Sequence, residues 1–143
     1  MIEIVIDASA ALAAVLRSQA TGASRQFIVN HSDDRYIAPH IFYWELSNAL
    51  VRLHRRGLLS LGAYSQAIND LRALEVEVQA PMPDAPVLEL GQRALELGIR
   101  PFDAAYLLLA IERDCALASR DDQLIVVARR FVPCFDLQGD HLP

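Results

Sequence analysis

The chain has no lysine; all 13 of its basic residues are arginine. That excludes any mechanism that depends on a lysine ammonium, including the phosphoryl-contacting lysine of receiver-type phosphoacceptor domains. It has only 2 cysteines, Cys115 and Cys134. They lack C-x-x-C spacing, lie in apolar runs and read as reduced core residues. The histidines, His31, His40, His54 and His141, form no H-x-x-x-H or similar pair and read as surface residues, not ligands. No segment approaches the roughly 20 uninterrupted apolar residues of a membrane span. The N-terminus, MIEIVIDASA, lacks a basic region and is interrupted by Asp7, so neither a secretory signal nor an anchor is expected, and the protein is expected in the cytoplasm. Internal repeats, low-complexity runs and linkers are also missing.

What is present suits one globular domain spanning residues 1–143, since 53% of the 143 residues are hydrophobic, enough for a genuine core. The net charge of −5 argues against a generic polyanion binder. An arginine-only basic set gives the better fork for phosphate, although a biased genome composition produces the same pattern.

Short apolar runs alternate with helical patterns. Strands are expected at 2–6 (IEIVI), 35–38, 75–80 (an alternating, edge-like EVEVQA), 115–118 and 131–135. Helices are expected at 9–16, 21–31, 39–56, 60–74, 84–97, 101–114 and 121–130, with Thr21 or Ser24 near the start of the second, and Gly57 and Gly98 as stops. This order predicts a three-layer α/β/α sandwich around a mainly parallel five-stranded sheet. In such sheets ligands bind beyond the carboxyl ends of the strands, so the residues just after each strand carry the functional reading.

Asp7 directly follows the first strand. Asp121 comes three residues after the fourth. Asp103 lies in the first turn of a very apolar helix, and Glu45 lies mid-helix after the second strand. Each Asp has a structural reading. Asp7 could cap the next helix, although Ser9 could do that alone. Asp103 could be a favourable first-turn anion, and Asp121 and Asp122 likewise, with Ser119 as the cap. Glu45 is different. At about 100° per residue, Phe42 and Ala49 lie within about 60° of it and Ile41 about 40° away on the other side. A carboxylate at the border of the buried face needs a partner, and its own stripe offers Asn48, Arg52 and Arg56, so an ion pair with Arg52 or another arginine is one solution. Taken together, crowded carboxylates repel, and a divalent cation relieves that conflict. Oxygen-only ligands suit Mg²⁺ or Mn²⁺ and disfavour Zn²⁺. A hard cation so held supports metal-dependent phosphodiester hydrolysis without a side-chain nucleophile.

Four motifs then resemble those of the PIN-domain family, and most closely its stand-alone VapC-like toxins. VIDASA resembles the opening Asp motif, WELSNAL the Glu helix with Asn three residues on, FDAAYLLLA the third motif with Phe102 in place of the usual Tyr, and LASRDDQL the fourth. The resemblance implies a metal-dependent ribonuclease with Asp7, Glu45, Asp103 and Asp121 as ligands and Ser9, Asn48 and Ser119 in support. Asp122 is the alternative to Asp121. It also implies a homodimer and a small antitoxin covering the 39–74 region, with Phe42, Tyr43, Trp44 and Leu58 as candidate contacts. Those four side chains have core and dimer packing as their other reading.

Arg52, Arg55 and Arg56, near the end of the Glu45 helix, are candidates to guide an RNA backbone to the metal, Arg52 and Arg56 above all. A favourable cation placement at a helix end is the other reading. Acid-nucleophile phosphatases want a second Asp where Ser9 stands. A catalytically silent PIN domain that binds RNA or protein is the alternative function, and DNA is the alternative substrate.

Overall fold

The computed structural model describes residues 1–139; His141 lies outside them. Five strands, β1 (Glu3–Ile6), β2 (Arg35–Ala38), β3 (Glu77–Val78), β4 (Ala116–Ser119) and β5 (Cys134–Asp136), form one sheet in the order β3-β2-β1-β4-β5. All four pairings are parallel. Seven helices are interleaved: α1 (Ala8–Val15), α2 (Gly22–Asn30), α3 (Phe42–Arg55), α4 (Leu61–Ala73), α5 (Asp84–Leu97), α6 (Pro101–Arg113) and α7 (Asp122–Ala128).

The chain starts at the centre of the sheet, builds outward through β2 to β3, then returns across it to β4 and β5. Right-handed crossovers therefore put α1–α4 on one face and α5–α7 on the other. The strand order reverses between β1 and β4, whose register pairs Ile6 with Ala118. Asp7 and Ser119 thus emerge side by side at the switch point, the position where open α/β sheets bind ligands. The strands that hold them are solid core. Ile4, Val5, Ile6, Leu117 and Ala118 have no exposed surface, as expected for strands covered on both faces.

Several local expectations need correction. Of the two caps open for α1, Asp7 is the one observed, because its extended backbone (φ −86°, ψ 172°) lets the side chain accept from the Ala10 amide. Asp121, not Ser119, caps α7, accepting from the Gln123 and Leu124 amides. The third strand shrinks to two residues at the sheet edge, where it pairs with β2 alone. The fifth strand begins three residues later than expected, at Cys134, because 131–132 continue the turn after α7. Cys115 and Cys134 are free but half-buried, packed against the core instead of inside it. Phe42 is fully buried, so it belongs to the core and is no partner contact, whereas Trp44 is 78% exposed.

Candidate active site

Asp7 is 5% exposed, and its carboxylate is held entirely by neutral donors. The Oδ1 atom accepts from the Ser9 hydroxyl at 2.7 Å and the Ala10 amide at 2.8 Å. The Ser119 hydroxyl donates to Oδ2. Both serines are themselves fixed: the Arg120 amide donates to Ser9 Oγ and the Asp121 amide to Ser119 Oγ, each at 2.9 Å. No ion pair among the described residues includes Asp7. Burial, reinforced by the nearby charge of Asp103, pushes its pKa up to about 6 against the pull of those donors. A buried carboxylate without a cation is costly, and what the fold gains from this one is the cap of α1.

Asp103 is also buried. Proline at the first position of α6 and an extended Arg100 before it start the helix, and Arg100 grips Asp103 through Nε at 3.0 Å and Nη2 at 3.1 Å. Nη2 of Arg100 also lies 3.6 Å from Asp121 Oδ2. Asp122 faces elsewhere, accepting from Gln138. Glu45 sits half-buried on α3, and its partner is neither Arg52 nor another arginine. The Tyr106 hydroxyl, from α6, donates to Glu45 Oε1 at 2.6 Å. Burial raises the Glu45 pKa, with Asp103 adding to the rise while the Tyr106 bond and Arg100 oppose it.

Tyr106 and Arg100 had no place in the sequence reading. Tyr106 lies three residues after Asp103, so the two share a stripe of α6, whereas Arg100 lies before the helix in extended backbone and left no such signal.

An open groove lies beside these acids; of the four, Glu45 lines it, together with Ser9, Trp44, Asn48, Arg52 and Arg100 among others. Arg56 is not part of its lining. The structure places Asp103 in electrostatic range of both Asp7 and Glu45, and Arg100 in range of Asp103, Asp121 and Glu45, at the carboxyl end of the sheet. The PIN domain family model matches residues 4–130.

The chain belongs to the PIN-domain family.

Two relatives of this PIN domain are a VapC ribonuclease from Mycobacterium bovis and ribonuclease VapC9 from Mycobacterium tuberculosis. Each is 35% identical over 123 residues, covering 85% of this chain and 87% of the relative. Among solved structures, PAE2754 from Pyrobaculum aerophilum matches with a TM-score of 0.66 at 22% identity, covering 94% of this chain and 90% of its own. That likeness shows the fold alone.

The donor set of this PIN domain fits a hard cation in kind. It is made of oxygens only, its acids are linked through Asp103 and Arg100, and its most buried member, Asp7, lacks a counter-charge. Among the described residues, no three acidic, histidine or cysteine side chains stand at metal-holding spacing. Arg100 pairs with two of the acids, Asp103 and Asp121.

Proposed function

We propose that this PIN domain, as a single unit over residues 1–143, is a Mg²⁺-dependent endoribonuclease, with Mn²⁺ able to substitute, and the toxin of a toxin–antitoxin pair. The observation that carries the reading is Asp7: a buried carboxylate held only by hydroxyls and an amide, at the switch point of a parallel sheet, with the charge of Asp103 nearby. Asp7, Glu45, Asp103 and Asp121 would hold the cation. Once bound it supplies the charge needed to activate water and to stabilise a developing phosphoryl negative charge. The names of the relatives at 35% identity support RNA as the substrate.

The remaining residues have positioning roles. Ser9 and Ser119 fix the Asp7 carboxylate, Tyr106 fixes Glu45, and Asn48 lines the groove beside it. Arg52, exposed in the same groove, would meet the phosphate backbone; Arg56, further along α3, would extend that contact. No helix among the described residues is long and apolar enough to cross a membrane, in keeping with action in the cytoplasm. A homodimer and a small inhibitory antitoxin complete the proposal. Trp44, Tyr43 and Leu58, all exposed apolar side chains on or just after α3, are the antitoxin contacts proposed.

The test is cleavage of mixed cellular RNA by protein purified free of partners, in Mg²⁺, Mn²⁺ or EDTA. Cleavage in either metal that stops in EDTA supports the reading. Cleavage that persists in EDTA contradicts metal dependence. No cleavage, together with retention of RNA on a binding assay, favours the silent RNA-binding alternative.

A further inference from the structure

The cation in the acidic cleft of this structure is one of the protein's own. The Arg100 side chain is 64% exposed and reaches Asp103, which is buried, and Asp121, which is partly exposed. Its fork takes both oxygens of Asp103, Oδ2 at 3.0 Å and Oδ1 at 3.1 Å, and its Nη2 stands 3.6 Å from Asp121 Oδ2. It also carries the electrostatic pull of Glu45. A bidentate guanidinium uses the same lone pairs that a hard cation needs. Those carboxylates cannot serve both at once.

Taking the acids as a metal centre, as above, we propose that Arg100 competes with the divalent cation for Asp103 and Asp121 and must turn away before both can act as ligands. The geometry makes release easy. The side chain is mostly in solvent, and the charges of Asp103 and Asp121 are what hold it over the cleft, so exchange for a doubly charged ion costs little beyond the pair itself. Completion of the site therefore waits on Arg100. The same competition accounts for the acids not standing at ligand spacing: two of them are drawn to a guanidinium, a broader group than a metal ion. Arg100 thus sets the affinity of the site.

Arg52 provides the control. It lines the same groove and pairs with none of the four acids, so its removal reports only the general effect of losing one positive charge. The experiment is calorimetric titration of Mn²⁺, with no RNA present, into wild type, Arg100→Gln, Arg100→Lys and Arg52→Gln, each checked for folding by its melting curve. The expected result is that Arg100→Gln binds Mn²⁺ about tenfold more tightly than wild type, the size of one charge-assisted pair. Arg100→Lys, which keeps the charge but loses the fork, should fall between the two. Arg52→Gln should tighten binding by less than about threefold, as befits a screened charge. If Arg100→Gln binds equally or more weakly, or gains no more than Arg52→Gln, the competition is wrong and Arg100 instead orders Asp103. If neither wild type nor any variant binds Mn²⁺, the metal-centre reading beneath the proposal fails with it.

Discussion

Strand β1 and helix α6 carry acidic side chains at both ends of the sheet, and the two ends are treated in opposite ways. At the amino end, Glu3 pairs with Arg113 from the last turn of α6, at 2.6 and 3.1 Å, and with Arg35 at 3.4 Å. Arg35 continues the network to Glu77. Those cations hold the Glu3 carboxyl below its ordinary range, Arg113 foremost. At the carboxyl end, four residues along the same strand, Asp7 has hydroxyls and an amide but no guanidinium, and burial lifts it to about 6. One end is neutralised inside the fold, as a structural ion network is. The other has Arg100 at Asp103 and Asp121 but no guanidinium at Asp7, whose buried charge costs stability, a pattern common at functional sites.

The largest way to separate the two ends is by activity. Asp7→Asn should keep the fold, since Asn still caps a helix, and should lose at least about a hundredfold in RNA cleavage, because ligand loss removes several kcal/mol of charge stabilisation. Glu3→Gln should cleave at the wild-type rate. A Glu3 variant as inactive as the Asp7 variant would mean that the two ends do not differ in function.

Stability against pH should diverge next. With a folded pKa of about 6 against an ordinary 3.8, Asp7 binds a proton in the folded protein between about pH 4 and 6 that the unfolded chain does not. Its contribution to stability therefore rises as pH falls from 7 toward 4. Above pH 6 the buried charge costs the fold on the order of 3 kcal/mol. In metal-free buffer at pH 7.5, Asp7→Asn should melt no lower than wild type, and its advantage should shrink at pH 5. A wild type that gains on Asp7→Asn as pH rises would show that the Asp7 charge is compensated after all.

A smaller effect is expected at Tyr106. Tyr106→Phe leaves half-buried Glu45 without its donor, which should cost about 2 kcal/mol of stability, as for other hydrogen bonds to charged groups, and about tenfold in cleavage. A full loss of activity at unchanged metal affinity would assign the phenol a direct part in the reaction. Smallest of all, Glu3→Gln should lower the melting temperature by no more than about 4 °C, since the ion pairs it weakens are partly exposed to solvent.

Much of this contrast was legible in the sequence, and the part that was not has a common cause. Local signals located the elements: Gly57 and Gly98 stop α3 and α5 with φ of +73° and +71°, and the expected bounds of β2 and α5 are those observed. All four acids fell just past a strand or on a helix border, which is why they could be singled out. The details that failed depend on contacts across the chain. Glu45 meets Tyr106 over a separation of 61 residues and Asp7 meets Ser119 over 112, and no local pattern encodes such pairs. Phe42 looked available beside Tyr43 and Trp44, but periodicity cannot say which edge of a helical stripe the core will cover. Arg100 was hidden for another reason: a lone arginine before a proline-started helix looks like solvent-facing charge until the acids around it are placed in space.

The most direct test of the central claim, that the acids at the Asp7 end hold a divalent cation, is the melting temperature with and without saturating Mg²⁺. Ligand binding to the folded state alone stabilises it by mass action, by about 2.7 kcal/mol at a hundred times Kd, a rise of several degrees for a domain of this size. The account predicts that rise in wild type and in Glu3→Gln, and its loss in Asp7→Asn. An equal rise in all three proteins, or none in wild type, would contradict it.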